Sequence, residues 1–139
     1  MKPKDFLLQY RRALRRIEYL DKRLQRLYSE AEVQASAPKS DVVRSSSRIK
    51  DRTAELAVKI AEASERLNVE RVEAVLLSET VAEVIDGVQD PVLSRLLFDR
   101  YIRGLTWEQT ASDIGYDPVH TRGRLHGAAL IEVQRIIGV

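Results

Sequence analysis

The chain has 139 residues, 44% of them apolar and 32% charged, with a formal net charge of +2 and no cysteine. That length fits one ordinary domain or a small domain with an extended appendage, and the composition describes a strongly patterned, soluble helical protein. The missing cysteine excludes a disulfide framework, a thiolate metal site and a thiol nucleophile.

No apolar run is long enough for a membrane span, and residues 1–12 (MKPKDFLLQYRR) lack the apolar core and small-residue cleavage site of a secretory signal. A cytoplasmic protein without a membrane partner is therefore expected.

The first predicted element is a heptad helix. Phe6, Tyr10, Ala13, Ile17, Leu20, Leu24, Leu27 and Ala31 alternate at steps of four and three, which places all eight on one seam. Residues 1–27 carry nine Lys/Arg against three Asp/Glu, whereas residues 51–90 carry four against ten. A basic segment can be a nucleic-acid surface. An acidic segment beside it neutralises that field, however, and the charge pattern reads here as helix pairing.

Helix-favouring residues give way to ASAPKSDVVRSSS, whose proline and serines predict a loop over about 35–49. A second helix is expected from near Lys50. Leu56, Ile60, Ala63 and Leu67 hold the heptad, and Val69, Val72 and Leu76 then take up a shifted phase before Val81, Val84 and Val88, which reads as a stutter. Neither helix can bury its seam alone. The two are expected to fold back as an antiparallel coiled-coil hairpin over residues 1–88, with a homodimer through its remaining apolar edge.

Residues 89–139 are punctuated differently. Asp90-Pro91 is a helix cap followed by the residue favoured at the first helical position, and Val92, Leu96, Leu97, Phe98 and Tyr101 predict a short helix that stops at Gly104. Thr106-Trp107-Glu108-Gln109 is a capping box, which opens a second short helix that stops at Gly115. Asp117-Pro118 then starts a helix to about Ile137, with Thr121, Leu125, Ala129, Val133 and Ile136 on one face.

Two helices separated by only Gly-Tyr-Asp have the spacing of a helix-turn-helix, and Ala111 permits the close crossing this requires. The last helix is then the one offered to a major groove. His120, Arg122 and Arg124 near its start are donors suited to phosphates or base edges. The second helix's capped start can hold a phosphate through Thr106 and its backbone N–H groups.

The pieces RYIRGLTWEQTASDIGY and RLHGAAL resemble the C-terminal promoter-reading domain of bacterial sigma factors, and more closely small phage proteins related to late transcription regulators of the ArpU and RinA type. The resemblance covers the whole chain. DVVRSSSRIKD is similar to that family's hairpin loop and VIDGVQDPVLSRLLFDRYI to its lead-in. It implies an all-α protein in which a long helical hairpin (1–88) precedes a three-helix helix-turn-helix domain (89–139). It also implies binding to double-stranded DNA in the control of phage or prophage transcription, in the cytoplasm of a bacterial host.

The expected DNA contacts are Thr106, Gln109, His120, Thr121, Arg122 and Arg124. Three departures from the family pattern stand out. Thr110 replaces the usual isoleucine and buries a hydroxyl that needs a partner. The run DPVHTRG is one residue longer than the commonest spacing, and Gly123 weakens a helix interior.

Other conspicuous residues have plainer readings. Trp107 is expected to be a core anchor between the first and third short helices, and His126 to pack or hydrogen-bond between helices. Arg100 and Arg103 are expected to touch flanking phosphates or to neutralise Asp99. No phosphate-binding glycine loop, metal-ligand cluster or nucleophile elbow stands in the sequence, so neither catalysis, metal nor cofactor is expected. Residues 91–139 carry six basic against five acidic side chains, which keeps open a protein-interaction module, binding RNA polymerase or acting as a coiled-coil adaptor.

Overall fold

The computed structural model describes residues 1–35 and 42–138, and every regular element among them is helical, as the all-α reading requires. Helix α1 runs Pro3–Ala35 and α2 runs Val42–Asp86. No glycine or proline follows the first residue of either, so nothing interrupts their hydrogen-bond ladders.

The loop expected at about 35–49 is shorter than the composition suggested. Residues 36–41 lie outside the described residues, but 42–49 already belong to α2. Serine costs only about 0.5 kcal/mol against alanine in a helix, and no glycine or proline stands beside Ser45, Ser46 and Ser47 to turn that preference into a break.

The described residues form two compact units, residues 15–72 and residues 1–14 with 73–139. In the first unit α1 and α2 make a two-helix hairpin. Leu20, Leu56, Ala63 and Leu67 are buried, while Ile17, Leu24, Leu27, Ala31 and Ile60 are half-buried on the expected seam. The ion pairs Arg16–Glu70 (3.2 Å) and Arg52–Glu30 (3.5 Å) run in opposite order along the two helices, which makes the pairing antiparallel.

The stutter in α2 is not present. Val69, Val72 and Leu76 are 61%, 62% and 58% exposed, whereas Leu67, Ala74, Val81 and Val88 continue an unbroken spacing of seven into the core. Alanine is a weak apolar signal beside three larger neighbours, so the periodicity favoured the wrong face.

The second unit holds the main core, made of Leu7 from α1, Val81 and Ile85 at the end of α2 with Val88 just beyond it, Leu93, Leu96, Leu97 and Tyr101, and Ala129 with Val133. The chain's compact units thus divide within the two long helices and not at residue 89. The short helices do not enclose a core of their own. Leu7 and Ile85 complete it, and a fully buried side chain of that size contributes about 1.5–3 kcal/mol.

Three further helices follow in this unit. Helix α3 comprises Pro91–Leu97 and the π-helical turn Phe98–Ile102 that continues it. Helix α4 is Trp107–Ile114. Helix α5 consists of Pro118–His120, a π-helical turn Thr121–Leu125, and His126–Ile137.

Each start is capped by the residues the sequence offers. An Asp90 carboxylate oxygen accepts from the N–H groups of Val92 and Leu93, and Asp117 does the same for Val119 and His120. Thr106 Oγ1 accepts from the Gln109 N–H at 3.1 Å while Gln109 Oε1 accepts from the Thr106 N–H at 2.9 Å. Gly104 and Gly115 stop α3 and α4 at φ of 70° and 80°, a left-handed backbone that a side chain would strain.

No helix among the described residues is long and apolar enough to cross a membrane.

Candidate nucleic-acid interface

Helices α4 and α5 are joined by Gly115, Tyr116 and Asp117 alone, with Ala111 buried where they pack. The start of α5 is exposed on most of its circumference. His120, Arg122 and Arg124 are all exposed, and no carboxylate pairs with either arginine among the described residues. The His120 ring stacks on Tyr116, with centroids 5.9 Å apart.

Thr106 and Gln109 are also exposed, but their capping box occupies one oxygen each. The Thr106 hydroxyl hydrogen and the Gln109 amide N–H groups are left to donate.

Thr121 belongs elsewhere. Its side chain is fully buried and its hydroxyl donates to the Asp117 carbonyl at 2.8 Å, so it cannot reach a ligand in front of the helix. Its place on the apolar face of α5 already pointed inward. The sequence reading missed Val119, which stands 81% exposed in the first turn of α5. An apolar side chain in that position suits a thymine methyl group. Its signal was an apolar residue directly after the Asp117-Pro118 cap, on no core seam.

The π-helical turn begins inside the DPVHTRG run. An i→i+5 turn holds one more residue than an α-helical turn, so an extra residue is absorbed without moving the rest of the helix out of phase. It also sets the buried series of α5 as Thr121, His126, Ala129 and Val133, with five residues across the turn. Gly123 lies within it, and a β-carbon there would meet nothing within 4 Å. Packing inside the protein does not require that glycine.

Behind the exposed face, Trp107 links α3 to α5. Its ring meets the His126 ring edge-on at 4.8 Å, and the Arg100 guanidinium stands 4.2 Å over it. His126 Nε2 and the Tyr101 hydroxyl share a hydrogen bond of 2.7 Å. Burial, and then the nearby charges of Lys4 and Arg100, pull the His126 imidazole down to about 4, while burial pushes the Tyr101 phenol up. The pair is therefore neutral and structural near pH 7.

A second buried group braces α3 against α4. Asp99 is fully buried and accepts from Arg103 Nη1 at 3.0 Å, with Arg95 Nε at 3.5 Å. Arg95 also grips Asp113 through two nitrogens, at 2.7 and 3.3 Å. Asp99 Oδ2 finds no donor. Burial, with the Asp113 carboxylate close by, raises the Asp99 carboxyl, and the Arg95 hydrogen bond holds Asp113 below the usual range.

Of the two arginines expected at flanking phosphates or at Asp99, Arg103 is thus committed to Asp99. Arg100 is not. Thr110 is fully buried and its hydroxyl has no partner. Among the described residues no group of three His, Asp or Glu side chains is arranged to hold a metal ion.

Comparison with known proteins gives no matching family model, no matching curated protein and no matching solved structure.

Proposed function

We propose that the chain is a DNA-binding transcription regulator that reads duplex DNA with α5, in the control of phage or prophage transcription. The observation that carries the reading is the pair of exposed, unpaired arginines at the start of a capped helix, three residues after α4. A carboxylate-free guanidinium at that position can bridge guanine O6 and N7 or hold a phosphate.

Arg122 and Arg124 take those roles, His120 and Val119 add a donor and an apolar contact, and Thr106 with Gln109 holds the neighbouring strand. The hairpin supplies the surface for a homodimer.

A second reading is a protein-interaction module that binds RNA polymerase. The near balance of charge in residues 91–139 favours it, together with Ile131, which is 70% exposed on α5.

In vitro selection from a pool of genomic fragments, washed at low and at moderate salt, separates the two. A regulator recovers one or a few related sites that survive the higher salt, and an inverted repeat among them gives the dimer spacing. R122A/R124A should weaken binding to those sites by about 1–3 kcal/mol for each arginine that reads a base, with the helical circular dichroism unchanged. Recovery of no site above background, with capture of polymerase instead, overturns the DNA reading.

A further inference from the structure

The positive charge of α1 is not fully neutralised by pairing. Arg16 meets Glu70 and Arg12 meets Asp5 of its own helix, but among the described residues neither Lys4 nor Arg11 forms an ion pair. Within the unit of residues 1–14 and 73–139, Arg11 stands beside the turn that joins α3 to α4, and Lys4 lies seven residues before it on the same face of α1.

Arg11 lies over Gly104 so closely that a β-carbon there would come within 2.5 Å of Nη2. From α3, Arg100 stands over the Trp107 ring, donates from Nη1 to the Leu105 carbonyl at 2.6 Å and keeps a buried Nε with no acceptor. Two guanidinium groups thus flank one short turn, and no carboxylate pairs with either.

Arg122 and Arg11 are both near enough to Arg100 to lower its hold on its proton, after the effect of burial itself. Lys4 and Arg100 act likewise on His126, whose ring meets Trp107 edge-on. Cations from α1 and α5 therefore both bear on the Arg100 guanidinium of α3, which already flanks the turn with Arg11. An anion would relieve the repulsion among them.

We infer that Lys4, Arg11 and Arg100, beside Arg122, form a phosphate shelf that holds the backbone of duplex DNA flanking the groove entered by α5. The inference rests on the DNA-binding reading above and extends it, because it makes the first turns of α1 part of the reader and not only of the hairpin. Charge complementarity selects the occupant. Lys4 and Arg122 are exposed and Arg11 and Arg100 half-buried, and cations set on three separate helices suit a strand that repeats its charge about every 3.4 Å better than a single small anion. Gly104 serves the shelf as well, since its missing side chain lets Arg11 lie against the turn.

The test uses the full chain and a duplex carrying a selected site, with affinity measured between roughly 0.05 and 0.2 M salt. K4Q/R11Q should reduce the slope of log affinity against log salt by about 2, so that over this range the parent loses about 10-fold more affinity than the variant. Sequence preference should not change.

K4Q alone, at an exposed position that leaves the Arg11 contact intact, should reduce the slope by about 1 and serves if the double variant does not fold. An unchanged slope in a folded K4Q overturns the shelf. If R122A/R124A weakens binding while the Lys4 and Arg11 variants leave the slope as it was, the shelf fails and the groove reading stands. If the parent binds no duplex at either salt, both fail.

Discussion

Between residues 15 and 72 the buried side chains lie along a single seam, many of them only half covered, and the charges of the two helices meet at the surface. In the unit of residues 1–14 and 73–139, by contrast, Leu7, Val81, Ile85, Leu96, Leu97 and Val133 are almost completely enclosed, and so are Asp99, Thr110 and Thr121. All six glycines, both histidines and both π-helical turns also fall in that second unit.

A repeated seam spreads its stability over many similar contacts, so that any one can be weakened. A small core with buried polar groups concentrates it in a few positions that must each be right. The residues that could read a ligand stand on the second kind of frame.

The largest effect that tests this contrast is truncation of a core leucine. Leu7→Ala removes a fully buried side chain from a core shared by α1, α2, α3 and α5, and should cost about 2–5 kcal/mol. Leu24→Ala, on the half-buried seam, should cost roughly 1 kcal/mol. Urea unfolding followed by Trp107 fluorescence and by circular dichroism measures both. Equal costs would mean that the start of α1 is only more hairpin.

The next effect is electrostatic and confined to the second unit, because residues 15–72 contain no histidine. His126 has its folded pKa lowered from 6.5 to about 4, so the folded protein binds fewer protons than the unfolded chain between those values. Stability is then fully present above about pH 6.5 and is lost as pH falls toward 4, by on the order of 3 kcal/mol.

The Trp107 transition should move to lower urea between about pH 7.5 and 5, and His126→Gln should flatten that dependence. A parent transition that does not move over this range would show that the ring is solvated.

The same contrast governs what the sequence could disclose. The starts of the three later helices were legible because caps act locally: Asp90-Pro91, the Thr106–Gln109 box and Asp117-Pro118 each satisfy N–H groups within three residues, whereas the start of α2 was placed too late. Seams made of large residues were legible too.

The continuation of the α2 heptad through Ala74 was not, since small residues carry little periodic signal. Nor was the sharing of the core by Leu7, which depends on contacts distant in sequence. At the candidate interface, the exposure of Arg122 and Arg124 followed from their phase. Thr121 was misplaced because its residue type suits DNA while its phase suits the core, and burial decided the matter.

The smallest effect is the most informative about the interface. Gly123 lies inside a helix, its φ is not in the left-handed region, and a β-carbon would meet no atom of the protein. Gly123→Ala should therefore stabilise the fold by up to about 1 kcal/mol, because alanine has less backbone freedom to lose on folding.

No glycine occurs between residues 15 and 72, where helix propensity is left intact, so the one at 123 calls for a reason outside the folded chain. Under the proposed function, close approach of a DNA backbone between Arg122 and Arg124 would supply one. Thermal unfolding and DNA affinity measured on the same variant decide it. Higher stability with weaker binding places position 123 against the duplex, and higher stability with unchanged binding turns that face of the π-helical turn away from it.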